Sequence, residues 1–124
     1  MKKVIQSLYA PAAIGPYSQA ICVDNMLVLS GQLGIDAATG QLVAGGIKEQ
    51  TSQVLKNIDA ILKEAGKSPK DVVKTTVFLA SMSDFADMNE IYAEFFTAPF
   101  PARSTVAVQS LPKNALVEIE ILAY

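Results

Sequence analysis

The chain has 124 residues, room for one compact domain that buries roughly two thirds of its surface and none for a second. Ten Lys plus Arg against twelve Asp plus Glu give a net charge of −2, which argues against the broad basic footprint that a nucleic acid requires. No histidine and a lone cysteine, Cys22, remove Ser-His-Asp and Cys-His nucleophiles, imidazole zinc sites and any intramolecular disulfide.

Taken in chain order, Val4 and Ile5 suggest a short first strand after a basic start that lacks the apolar stretch of a leader. No run approaches the 18 apolar residues of a membrane span, so a soluble, cytoplasmic protein is expected. Leu8 to Pro16 carries Pro11, Gly15 and Pro16 and reads as a loop that delivers Tyr17 to the next element. Tyr17 to Val23 and Met26 to Gly31 are β-prone runs joined by a tight turn at Asp24-Asn25. Gln32 to Gly45 is a long connection with a turn at Ala38-Thr39-Gly40-Gln41.

From Ile47 the period changes. Ile47, Val54, Leu55, Ile58, Ile61, Leu62 and Ala65 form an apolar stripe at helical spacing, with Gly66 placed to cap its end. Asp71 to Ser81 is too β-branched for a helix and predicts a strand. A second helix starts near Ser83-Asp84 and carries Phe85, Met88, Ile91, Tyr92, Phe95 and Phe96; Pro99 and Pro101 stop it. Two strands, Ala102 to Gln109 and Ala115 to Tyr124, finish the chain. The order β-ββ-α-β-α-ββ predicts an α+β domain over 1–124 with two helices on one sheet face.

Strand alternation sorts the last strand into Val117, Ile119, Ile121 and Ala123 on one side and Leu116, Glu118, Glu120 and Leu122 on the other. The same rule separates Val106 and Val108 from Arg103, Thr105 and Ala107. If both valine-rich sets face the helices, Arg103, Thr105, Glu118 and Glu120 share the opposite face. That cluster reads either as a cross-strand salt bridge on a solvated surface or as a site, with Arg103 gripping a ligand carboxylate beside an acid that handles water.

Other polar residues carry a similar choice. Tyr17 offers a phenol to a ligand or packs at a strand start; Ser30-Gly31 presents a hydroxyl and an approachable amide or merely closes a strand. Asn89 lies one helical turn from Phe85, and Cys22 reads as a small buried hydrophobe. The glycines at 34, 40, 45 and 46 form no phosphate-loop pattern.

Several separated motifs then stand in one order along nearly the whole chain: Ala10 to Gln19, Ser30-Gly31-Gln32, Val73 to Phe78, Phe100-Pro101-Ala102-Arg103-Ser104 and Val117-Glu118-Ile119-Glu120. In these the chain resembles the RidA/YjgF family. The resemblance implies a chorismate-mutase-like α+β fold, a homotrimer with ligand clefts between subunits, and hydrolysis of reactive 2-imino acids, 2-iminobutanoate and 2-iminopropanoate, to 2-oxo acids and ammonia. It implies no cofactor and no metal; the acidic balance and the lack of a long apolar run point to no nucleic-acid and no membrane partner.

By that resemblance Arg103 clamps the substrate carboxylate, Glu118 positions the attacking water and Tyr17 transfers a proton near the imine. Ser30, Gly31 and Asn89 line the cleft, and Glu120 shares the side of Glu118 without its role. Thr105 stands where the family often has cysteine, so its water contact is expected through the backbone carbonyl. Two other classes compete with the deaminase: a regulatory module that binds 2-oxo acids without turnover, and an endoribonuclease or translation inhibitor, against which the acidic balance and the missing histidine argue.

Overall fold

The computed structural model describes residues 1–124. Seven strands form one mixed sheet: β1 (Lys2–Ile5), β2 (Ala20–Val23), β3 (Met26–Leu29), β4 (Gln32–Leu33), β5 (Val72–Leu79), β6 (Ala102–Ala107) and β7 (Val117–Ala123). The helices α1 (Ile47–Glu64) and α2 (Phe85–Phe95) pack on one side of it. The strand order is β1-β2-β3-β7-β5-β6, with β4 also on β7. Only β5 and β6 pair in parallel, and the crossover that parallel pairing demands is α2.

The expected order holds, with one strand added. β4 has two residues and pairs Gln32 with Ile119 and Leu33 with Glu118, too short for any periodicity to reveal. It lies on the same side of β7 as β3, whose Leu27 and Val28 pair with Ala123 and Leu122. Between the two pairings the register slips by one residue, a β-bulge at the Ser30-Gly31 step. The Asp24-Asn25 turn is present, with Asp24 at φ 53°. The 36–41 turn closes through Asp36 N to Gln41 O at 2.9 Å and Gly40 N to Asp36 O at 2.8 Å.

The core is the α1 stripe against β5 and β7. Val54, Leu55, Ile58, Ile61 and Leu62 are buried, as are Val77, Leu79, Val117, Ile119 and Ile121. Each such side chain contributes about 1.5–3 kcal/mol by leaving water, far more than helix propensity supplies. From α2, Met88 and Tyr92 complete the layer, and Phe96 closes it just beyond the helix end.

Alternation holds on β7 but reverses the expectation for β6. Arg103, Thr105 and Ala107 pair with Thr75, Val77 and Leu79, all three buried at 0% exposure under the helices. Arg103 and Thr105 therefore face the helices, while Val106 lies on the open side and is 46% exposed. Glu118 and Glu120 pair with Phe78 and Thr76 and lie on the open face, opposite Arg103. The expected shared face for the four polar residues is thus overturned. Apolar character mis-sorts β6 because it is an edge strand: α2 offers it aromatic rings that suit a guanidinium, and Val106 lies beside Phe78 on the open face.

Buried amides tie α1 to the segments that frame the sheet's working edge. Asn57 Nδ2 donates to Leu33 O at 3.1 Å and Ile35 O at 2.9 Å, and Gln53 Nε2 donates to Asn57 Oδ1 at 2.9 Å. Gln50 Oε1 accepts from Leu116 N at 2.9 Å, just before β7. Gly34 permits this approach: a Cβ there would lie 2.9 Å from both Cα and O of Gln50. Asn57→Leu removes this partner from two part-buried carbonyls, and a loss of about 1–3 kcal/mol of stability is expected in urea denaturation, with the main-chain amides of 33–35 losing hydrogen-exchange protection first.

Candidate functional site

Two cavities on different parts of the chain hold most of the residues singled out above; Thr105 and Glu120 line neither. The first, about 400 Å3, is lined by Asn89, Tyr92, Ala93, Phe100, Pro101 and Arg103. Its floor is α2. Arg103 Nη1 donates to Asn89 Oδ1 at 2.7 Å, and the guanidinium carbon lies 4.7 Å from the Tyr92 ring centroid and 5.5 Å from that of Phe85. Residues 85, 89 and 92 share one helix face because they are separated by four and three positions. An aromatic face attracts the cation without neutralising it.

Tyr92 is itself fastened from below by a buried 2.7 Å hydrogen bond between its hydroxyl and Thr75 Oγ1. Burial holds its phenol above the ordinary tyrosine range, opposed by the Thr75 bond and the Arg103 charge. Tyr92 therefore stays neutral and cannot pair with Arg103. The two ion pairs of the structure are Lys48–Glu90 and Lys63–Asp59; neither involves Arg103, whose free donors form a fork suited to a carboxylate. Thr105, two residues further along that face, has a buried Oγ1 without a hydrogen-bond partner.

The second cavity is larger, about 760 Å3, and is lined by the Pro11–Tyr17 loop, the 30–35 segment and Lys113 and Glu118. Tyr17, Ser30, Gly31 and Glu118 meet here. The loop that carries Tyr17 is held by Gln19, a buried residue not singled out from the sequence. Its Oε1 accepts from Ser7 N at 2.7 Å and its Nε2 donates to Pro11 O at 2.8 Å and Ser7 O at 3.1 Å. By alternation Gln19 falls with Ile21 on the open side, out of phase with the buried Ala20, so no local signal marks it as buried. Tyr17 is 54% exposed, and its hydroxyl accepts from Ile14 N at 3.3 Å. Ser30 Oγ donates to Ser18 O at 2.6 Å, which spends that proton within the chain.

Glu118 has no basic partner. Burial, and secondarily the negative charge of Glu120, push its carboxyl above the ordinary glutamate range. A raised carboxyl holds a proton more readily at neutral pH and is a stronger base once ionised. Arg103 and Glu118 thus stand unpaired on opposite faces of the sheet, so a single chain does not bring them together. Asn89 belongs with Arg103, and Tyr17, Ser30 and Gly31 belong with Glu118. No group of three or more His, Cys, Asp or Glu is arranged to hold a metal, and no helix is long and apolar enough to cross a membrane.

The family model described as endoribonuclease L-PSP matches residues 7–124. A RutC family protein of Pyrococcus horikoshii is 56% identical over 124 residues, covering 100% of this chain and 98% of its own. The 2-iminobutanoate/2-iminopropanoate deaminase of Mus musculus is 52% identical over 123 residues, covering 99% of this chain and 91% of its own. The crystal structure of a Rid family protein from Yersinia pestis superposes with a TM-score of 0.97 at 53% identity, covering 99% of this chain and 98% of that one.

The raised carboxyl has a consequence for stability. A carboxyl whose folded-state pKa lies above its unfolded value stabilises the fold at low pH, and that contribution is lost as pH rises through the folded value. Glu118→Gln is therefore expected to raise the melting temperature at pH 7, and the gain over wild type shrinks as pH is lowered towards 4, where the native carboxyl is itself protonated. Thermal scans across that range check the sign.

Proposed function

From the premise that the chain belongs to the endoribonuclease L-PSP family, also called Rid, we propose that it is a 2-iminobutanoate/2-iminopropanoate deaminase, the activity named for its mammalian relatives at 50–52% identity. The observation that carries this reading is the pair of unneutralised groups: a guanidinium held on aromatic rings with its fork free, and an acid of raised basicity with no ion-pair partner. A 2-imino acid supplies what each lacks, a carboxylate for Arg103 and an electrophilic carbon beside the Glu118 water.

The site is assembled between copies of the chain. One copy contributes Arg103 and Asn89; its neighbour contributes Glu118, Tyr17, Ser30 and Gly31. Support comes from the open sheet face, where Val4, Ile21, Val28 and Leu122 form an apolar row across four strands. Val4 and Val28 are 57% and 42% exposed, a surface suited to burial against another copy. A homotrimer, with three equivalent clefts, is the proposed assembly, and the cytoplasm its proposed location.

An imine needs no covalent nucleophile. Arg103 fixes the carboxylate in a two-pronged grip, so that C2 lies beside the water held by Glu118. As the water oxygen bonds to C2, Glu118 takes one of its protons, and the C=N electron pair moves to nitrogen, which takes the Tyr17 proton. The resulting carbinolamine collapses: its hydroxyl proton returns to Tyr17, the C–N bond breaks, and ammonia leaves with the proton from Glu118. The products are a 2-oxo acid and ammonia. Thr105 replaces a thiol without removing the backbone carbonyl proposed to contact this water.

Net charge −2 with no histidine is poorly suited to binding and cleaving RNA. A binding module without turnover would leave the basic carboxyl of Glu118 without a task. Added to a threonine dehydratase reaction, the protein is expected to accelerate 2-oxobutanoate and ammonia release from the imine. Arg103→Ala should lower kcat/KM by about 100-fold or more, equivalent to about 2.7 kcal/mol or more of lost transition-state binding, with circular dichroism unchanged. Saturable 2-oxobutanoate binding with no acceleration by the folded wild type would instead identify the binding module.

A further inference from the structure

Gly31 sits in the bulge between β3 and β4, at the slip in register along β7. Its φ lies outside the left-handed region, so its backbone conformation is open to any residue. What the position forbids is a side chain. The three nearest atoms that a Cβ on Gly31 would meet all belong to Glu118, and two of them, Cδ and Cγ, would lie at 2.8 and 3.0 Å, with Oε2 closer still. The whole acid arm is laid along the bare Cα.

We propose that Gly31 is the positioning residue for Glu118: its missing side chain is the seat that turns the carboxyl into the cavity and buries it there. This rests on the deaminase reading above and assigns Gly31 a task distinct from lining the substrate cleft. Chain geometry supports the assignment. Leu33 pairs with Glu118, so Gly31, two residues earlier, is a diagonal neighbour across the ladder, within reach of a long side chain.

Without the bulge, the strand reaching Leu33 from Val28 would slip by one residue and carry its side chains to opposite faces. The bulge and the glycine therefore act together, one aiming the backbone and the other clearing the space. A methyl at 31 drives the acid out towards water, because the Glu118 arm is flexible and the flanking backbone of β7 is held in the ladder.

The charged and titratable groups around Glu118 bear on its protonation. Glu120 is two residues along β7; Lys113 precedes that strand, and Tyr17 lines the same cavity. From β5, the uncharged Phe78 lies beside Glu118. Lys74 lies further along β5, where its Nζ donates to Ser104 Oγ at 3.2 Å. None of these cations is within ion-pair distance of Glu118, so burial in the seat is what a Gly31 side chain would relieve.

The test is Gly31→Ala, assayed for imine hydrolysis across pH. Displacement of the acid is expected to lower kcat by about 10- to 100-fold while KM changes less than about threefold, because the Arg103 grip is untouched. The acid limb of the kcat/KM profile should move to lower pH, as the freed carboxyl returns towards its ordinary range. A raised KM with kcat and the acid limb unchanged would show that Gly31 only makes room for substrate, and would overturn the proposal.

A second measurement needs no activity. Melting temperatures of Gly31→Ala, Glu118→Ala and the double variant form a cycle, in which the proposal expects Gly31→Ala to cost little once Glu118 is shortened. An equal cost in both backgrounds would overturn the proposal even if Gly31→Ala alone were too unstable to assay. Inactive wild-type protein with a strongly coupled cycle would instead overturn the deaminase reading and leave the seat standing.

Discussion

Side chains alternate across a strand, and in this sheet that rule separates the two charged groups on which the proposed chemistry depends. β7 must send Val117, Ile119 and Ile121 under the helices, so Glu118 is forced to the open face. β6 must satisfy α2, and it does so with Arg103 on the rings of Tyr92 and Phe85. One chain thus displays half of the proposed site on each face. In the proposed assembly the geometry would reward association twice: a second copy would cover the apolar row on the open sheet and offer each orphan charge a place beside a shared ligand. Burying an unpaired guanidinium or carboxylate would be costly, which favours an assembly that leaves each of them room for a small anion or water.

Both half-sites are held by neutral groups. On the helix side, Thr75 fastens Tyr92, Tyr92 supports the guanidinium, and Asn89 takes one of its donors. On the open side, Gln19 fixes the Tyr17 loop through three backbone groups, and Asn57 fixes the 33–35 segment through two. Neutral anchors orient a charged side chain without cancelling its charge. A carboxylate in the place of Asn89 would hold Arg103 more tightly and compete with the proposed substrate for it.

The helices were legible because their apolar stripes recur at a spacing that only a helix presents on one side. β5 was legible from its β-branched run, and the acid of β7 from strict alternation. β4 was not, since two residues carry no period. The face of β6 was misjudged because Val106 looks like core, and its exposure depends on what covers the sheet rather than on its own chemistry. Gln19 and Asn57 escaped notice because a buried amide in a sequence resembles an exposed one until the carbonyls it serves are known.

Local pattern determined the order of elements, the two helical stripes, the burial of alternate β7 residues and the absence of histidine chemistry, each a property of near neighbours in the chain. Only the tertiary structure decided that Arg103 and Glu118 lie back to back and that Gly31 is bare for the sake of a residue 87 positions away. The physical reason is the same in both cases. Which face a side chain takes, and what it touches there, depends on strand pairings and helix contacts made across the whole chain, and these leave no local period to read.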